Sequence, residues 1–131
     1  MAEGLLRARF AGRGRGSVTS AGIAALDGRA ADPIAVGLLA DRGIDISGHR
    51  ARPITPELVA GADLVLVMEA AQQQAIERLA PSARGRVHRL GRFGGFDVED
   101  PYRQPRAAFE RALRDIERGL DDFDRNFWSA P

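Results

Sequence analysis

Apolar and polar positions fall into short, distinct registers along the chain. Leu5, Leu6 and Phe10 recur with small Ala2 and Ala8 among them, and Arg7, Arg9 and Arg13 supply a solvated side. That pattern predicts a helix from the first residues. "GRGRGS" turns the chain. "SVTSAGIAAL" then opens on β-favouring Val18 and Thr19, as a short buried strand running into a loop would. "ADPIAVGLLADRG" is a punctuated helix: Asp32 caps it, Pro33 suits its first position, Gly43 stops it, and Ile34, Leu38 and Leu39 face inward. After a loop broken by Gly48 and Pro53, Thr55 and Pro56 repeat the start signal for a short helix. The unbroken apolar run Leu64 to Met68 predicts a strand covered on both faces. A helix follows, ended by Pro81, and "RVHRLG" is a weaker strand. A Gly- and Pro-rich loop leads to a last helix, where Phe109, Leu113, Ile116, Leu120, Phe123 and Phe127 recur at four-three spacing.

Strands that alternate with helices imply an α/β fold, a three-layer doubly wound parallel sheet with right-handed crossovers. Ligands of such folds sit at the carboxyl ends of the strands. The length of 131 residues suits one domain over the whole chain. A doubly wound domain that opens on a helix leaves that helix with no strand feeding it.

Composition narrows the chemistry. The chain has no Cys, which removes disulfides, thiolate metal sites and cysteine nucleophiles from these residues. The net charge of +1 gives no global electrostatic case for nucleic acid, and no apolar run is long enough to span a bilayer. The expectation is a cytoplasmic protein with no nucleic-acid, membrane, metal or cofactor partner. All 19 strongly basic residues are Arg, whose planar fork suits phosphate.

Four places could carry chemistry. In "EDPYR", a carboxylate of Glu99 or Asp100 could act as a general acid. Pro101 restrains the backbone of Asp100, and Tyr102, the only Tyr, could line a pocket for an aromatic ligand. The same residues would also serve as a plain turn before a helix. His49, in "SGHRARPIT", has no second His or Cys nearby for a metal. Ser20 sits where a strand would end, with no base beside it in sequence. "GRGRG" follows a helix and precedes a strand, the reverse of a phosphate-binding loop.

Taken together, "MAEGLLRARF", "TSAGI", "ADPIAVGLLADRGIDISGHRARPIT", "ADLVLVME" and "EDPYRQPRAAFERAL" resemble the low-molecular-weight protein tyrosine phosphatases. The resemblance implies a four-stranded parallel sheet of order 2-1-3-4. It also implies a catalytic Cys-x5-Arg loop whose backbone N–H groups, Arg and helix N-terminus cradle phosphate. The Cys attacks phosphorus to give a phosphocysteine. An Asp protonates the leaving phenolate and then activates water. Carried over, Asp100 matches the general acid and base, Pro101 its loop proline, and Tyr102 the aromatic wall. Ser20 and His49 match residues that buttress the phosphate loop. The implied substrates are phosphotyrosine in proteins and small aryl phosphates. An arsenate reductase of the same fold needs cysteines that this chain lacks, and a non-catalytic binding protein is the other alternative.

Met1 matches the Met of the family's Pro-Met-Ala-Glu run, just after that loop. The expectation is therefore an N-terminally truncated domain without the first, central strand, the nucleophile and the phosphate-binding Arg, and hence without activity as written. Roughly 15 further codons upstream would restore loop and strand, for a strand of typical length. Without that strand, Leu64 to Val67 should face a gap and leave the chain poorly stable alone.

Overall fold

The computed structural model describes residues 1–14, 16–23 and 28–128. Among them the elements run α1 (Ala2–Ala11), α2 (Pro33–Ala40), α3 (Pro56–Ala60), β1 (Val65–Val67), α4 (Ala70–Leu79), β2 (Val87–Arg89) and α5 (Arg106–Phe123). β1 and β2 pair in parallel, Val65 opposite Val87 and Val67 opposite Arg89. Helix α4 forms the crossover between them.

The helices start where their caps direct. Asp32 accepts the Ile34 N–H at 2.8 Å and Thr55 accepts that of Leu58 at 3.2 Å. Gly43, at φ +73°, ends α2: its N–H reaches Ala40 O, and the Ile44 N–H reaches Leu39 O, both at 2.9 Å. Glu69 and Gln72 close a capping box at the start of α4.

The alternation of side chains along β1 builds three layers. Val65 and Val67 face a cluster with Val59, Ile76 and Val87, under α3 and α4. Leu64, Leu66 and Met68 face the other cluster, with Leu5, Leu38, Leu39, Leu113 and Phe123 from α1, α2 and α5. The parallel sheet with helices on both faces is thus the α/β arrangement that the pattern predicts.

Three details differ. The strand expected at Val18 is not formed: Val18 is half-buried, and this stretch makes only an isolated parallel bridge, Gly22 to Pro53. The end of that prediction, residues 24–27, lies outside the described residues, as does residue 15 of the "GRGRG" turn. Leu64 to Met68 is packed on both faces, but only Val67 is buried and the regular strand is limited to three residues. The physical reason is shared. An open groove of about 1140 Å³ separates segment 16–23 from β1, lined by Leu6, Phe10, Val18, Leu64, Leu66 and Trp128 among others. The edge of β1 away from β2 therefore has no ladder partner among the described residues, and Val18 has none either. The family's four-stranded order is correspondingly not seen in the two-stranded sheet described.

The third difference is Phe127. A π-helical turn, Asp124–Trp128, follows α5 and delays the register by about one residue. Trp128 is buried in place of Phe127, which is 49% exposed. Trp128 packs on Phe123 at 5.4 Å and edge-on to Phe10 of α1 at 5.1 Å. Around it, Arg9 pairs with Asp121 and Asp124 at 2.9 and 2.7 Å, and Arg13 pairs with Asp124. The hydrogen bond from Arg13, with that from Arg9, holds the Asp124 carboxyl below the usual carboxylate range. These contacts fasten α1 to the far end of α5. Among the described residues, no helix is long and apolar enough to cross a membrane.

Candidate active site

Two clusters hold the residues that the sequence singles out. The first is organised by Glu3, in the first turn of α1. Its Oε2 accepts from Ser20 Oγ at 3.0 Å and lies 3.1 Å from His49 Nδ1. Its Oε1 accepts from Arg7 at 2.9 Å, and Arg7 also donates to Val18 O at 2.7 Å. One carboxylate therefore ties α1, segment 16–23 and the loop after α2 together. Gly4 makes this possible, because a Cβ there would lie 2.7 Å from Ile46 Cγ2 and push that loop, with His49, away from the helix. Arg52 fixes the opposite side of Ser20 by donating to its carbonyl at 3.1 Å.

The second cluster is the loop after β2. Val98 N–H donates to Met68 O at 2.9 Å, which pins this loop across the carboxyl end of β1. Arg89, at the end of β2, pairs with Asp97 at 2.8 Å. Asp100 and Tyr102 are exposed and Pro101 is half-buried. The Asp100 carboxylate accepts the Tyr102 N–H at 3.0 Å, an Asx turn that sets its side chain against the loop. The Gln104 N–H reaches Pro101 O at 2.8 Å and closes a β-turn with Arg103 at φ +61°.

No hydrogen bond or ion pair among the described residues joins Ser20 and His49 to Asp100. The tie across the molecule instead comes from Arg29, which donates to Tyr102 Oη at 3.0 Å. His88 stands apart in β2, its pKa lowered by burial and then by Arg92. Among the described residues there is no cluster of three or more metal-ligating side chains.

The family model described as low molecular weight phosphotyrosine protein phosphatase matches residues 1–127. The chain belongs to the low molecular weight phosphotyrosine protein phosphatase family. It is 52% identical over 121 residues to the probable low molecular weight protein-tyrosine-phosphatase EpsP of Ralstonia nicotianae, covering 92% of this chain and 81% of that one. It is 36% identical to the low molecular weight protein-tyrosine-phosphatase Wzb of Escherichia coli K12, over 77% of this chain and 69% of the relative. In structure it is similar to Vibrio vulnificus Wzb in complex with benzylphosphonate. That match has a TM-score of 0.88 at 32% identity, over 96% of this chain and 88% of that one.

Within this phosphatase family member, sequence reasoning overlooked Glu3 and Arg29. Glu3 carried one signal, a carboxylate in the first turn of a helix, which reads as a favourable dipole contact and no more. Arg29 is one of 19 arginines and lies 73 residues from the tyrosine it touches, so no local pattern marks it.

The Arg29 contact has a measurable consequence. The Tyr102 phenol is held below its ordinary pKa, first by the hydrogen bond from Arg29 and then by that from Arg103. Both cations favour the phenolate. Because Tyr102 is the only tyrosine, its near-ultraviolet absorbance reports this ionisation alone. The expected titration lies below that of a free tyrosine, and Arg29→Gln should move it upward toward the ordinary value.

Proposed function

We propose that these 131 residues form the acid-loop side and the supporting frame of a protein tyrosine phosphatase domain spanning 1–131. Its substrates in this reading are phosphotyrosine in proteins and small aryl phosphates. Asp100 protonates the leaving phenolate and then activates water, Pro101 holds its loop, and Tyr102 lies beside the substrate ring. Ser20 and His49, gathered on Glu3, brace a phosphate-binding loop at the start of α1 without touching substrate. The observation that carries the reading is the loop Glu99 to Arg103, pinned to the carboxyl end of β1, in a chain that the family model matches over 1–127. The groove beside β1 suits the family's first strand, which would pair with β1 and cover Leu64 and Leu66.

A phosphocysteine mechanism needs a thiolate, and no Cys is among the 131 residues. Each lost phosphate-loop contact is worth several kcal/mol of transition-state stabilisation, in the range of about 3 to 4 for one donor. The test compares two proteins in hydrolysis of p-nitrophenyl phosphate. The 131-residue polypeptide alone is expected to give no turnover above buffer. The same residues joined in frame behind a segment carrying a Cys-x5-Arg loop are expected to turn over. Hydrolysis by the polypeptide alone, or none by the folded joined form, would overturn the reading.

A further inference from the structure

Arg29 and Arg103 flank the ring of Tyr102, with guanidinium carbons 5.4 and 5.1 Å from its centroid. Such a pair holds the ring through cation–π contacts and through hydrogen bonds to its hydroxyl. That use leaves most of the donors of each guanidinium free. Neither has a carboxylate within ion-pair distance among the described residues, unlike Arg89 and Arg106 on either side of the loop. Tyr102 itself is 46% exposed. Arg103 also occupies a costly backbone position. It is the only non-glycine residue at positive φ among the described ones, in the turn position that glycine favours. That conformation carries its guanidinium over the Tyr102 ring. The opposing charges, Glu99 and Asp100, lie on the N-terminal side of the loop, and the Asp100 carboxylate is turned onto the Tyr102 N–H.

We propose that Arg29 and Arg103 form a carboxylate-reading rim, so that the preferred substrate class is a phosphotyrosine flanked by acidic side chains. This rests on the phosphotyrosine reading above. In an extended peptide, side chains two residues from the phosphotyrosine lie about 7 Å along the chain. With the substrate ring beside Tyr102, whose centroid lies 5.4 and 5.1 Å from the two guanidinium carbons, such flanking side chains come within reach of the pair. Arg forks take carboxylates in bidentate geometry, which a compact ammonium cannot match. Exposed pairs of this kind are individually weak, so two of them predict a preference of about threefold to tenfold, screened by salt.

The test uses the form joined to a Cys-x5-Arg segment, with the Cys of that segment changed to Ser so that phosphopeptides stay intact during a titration. The ring resonances of isotope-labelled Tyr102 are the probe, and Trp128 emission checks that each variant keeps its core. The ligands are phosphotyrosine peptides of one length with Asp and Glu, Ala, or Lys flanks, and the acidic peptide without phosphate. The acidic phosphopeptide should bind about threefold to tenfold tighter than the Ala-flanked one, and the Lys-flanked one more weakly still. Arg29→Gln, Arg103→Gln and raised salt should each shrink that spread. Equal affinities across the three flanks, or a spread that survives both substitutions, would overturn the rim while leaving the phosphotyrosine reading in place. If phosphate adds nothing to the acidic peptide, or no peptide shifts Tyr102, the phosphotyrosine reading fails and the rim falls with it.

Discussion

Asp100→Asn, in the form joined to a Cys-x5-Arg segment, is expected to cut kcat on phosphotyrosine by about 10²- to 10⁴-fold, the range of a positioned general acid. The substitution is chosen for what it keeps. The Asn carbonyl can still accept the Tyr102 N–H that Asp100 accepts now, so the Asx turn and the set of the loop survive. Only the transferable proton is lost. The size of the loss should depend on the leaving group. A tyrosine phenolate is basic, with a parent pKa of about 10, and leaves poorly without protonation. The p-nitrophenolate is a far better leaving group, so phosphocysteine formation from it should slow much less, while the later attack of water, shared by both substrates, slows equally. Equal slowing of phosphocysteine formation from both substrates would mean that Asp100 does not protonate the leaving group. Unchanged turnover on both would remove it from the chemistry. The KM should change little, because the proton moves in the transition state and not in the bound complex.

Much of this fold was legible because its signals are local. Asp32 with Pro33 and Thr55 with Pro56 mark helix starts by side-chain chemistry that needs no tertiary partner, and both caps are made. The unbroken apolar run at Leu64 to Met68 marks β1 for the same reason. What failed depends on partners. Val18 and Thr19 have strand propensity, yet a strand needs a ladder, and the groove beside β1 offers none. Ser20 and His49 looked like isolated loop residues because the carboxylate that unites them, Glu3, is 17 residues from one and 46 from the other. Segment 28–31 likewise gave no sign of reaching the acid loop, since the contact runs through a single Arg29 side chain.

Phe123→Ala and Phe127→Ala separate the structure from the simple periodicity most sharply. Four-three spacing puts both rings on one apolar face, so it predicts similar losses. The π-helical turn makes them unequal. Phe123 is fully buried, with ring centroids at 5.0 Å from Phe93 and 5.4 Å from Trp128. Its truncation should cost about 3–5 kcal/mol, through lost burial and the cavity left behind. Phe127 is half in water, and its loss should cost less than about 1 kcal/mol. Whole domains of this kind are stable by only about 5–15 kcal/mol, and the edge of β1, without a ladder partner among the described residues, draws on that margin. Phe123→Ala is therefore expected to abolish cooperative unfolding in urea, with the emission of Trp128, the only tryptophan, red-shifted before denaturant is added. Phe127→Ala should keep the native emission and only a slightly lower midpoint. The effect should also reach the candidate site. Trp128 leans on Phe10, and Arg9 and Arg13 on Asp124, so loosening this cluster frees α1 from α5. Glu3, at the other end of α1, would then no longer hold Ser20 and His49 together. Equal losses in the two variants would restore the uninterrupted α-helical register and remove the π turn from the explanation.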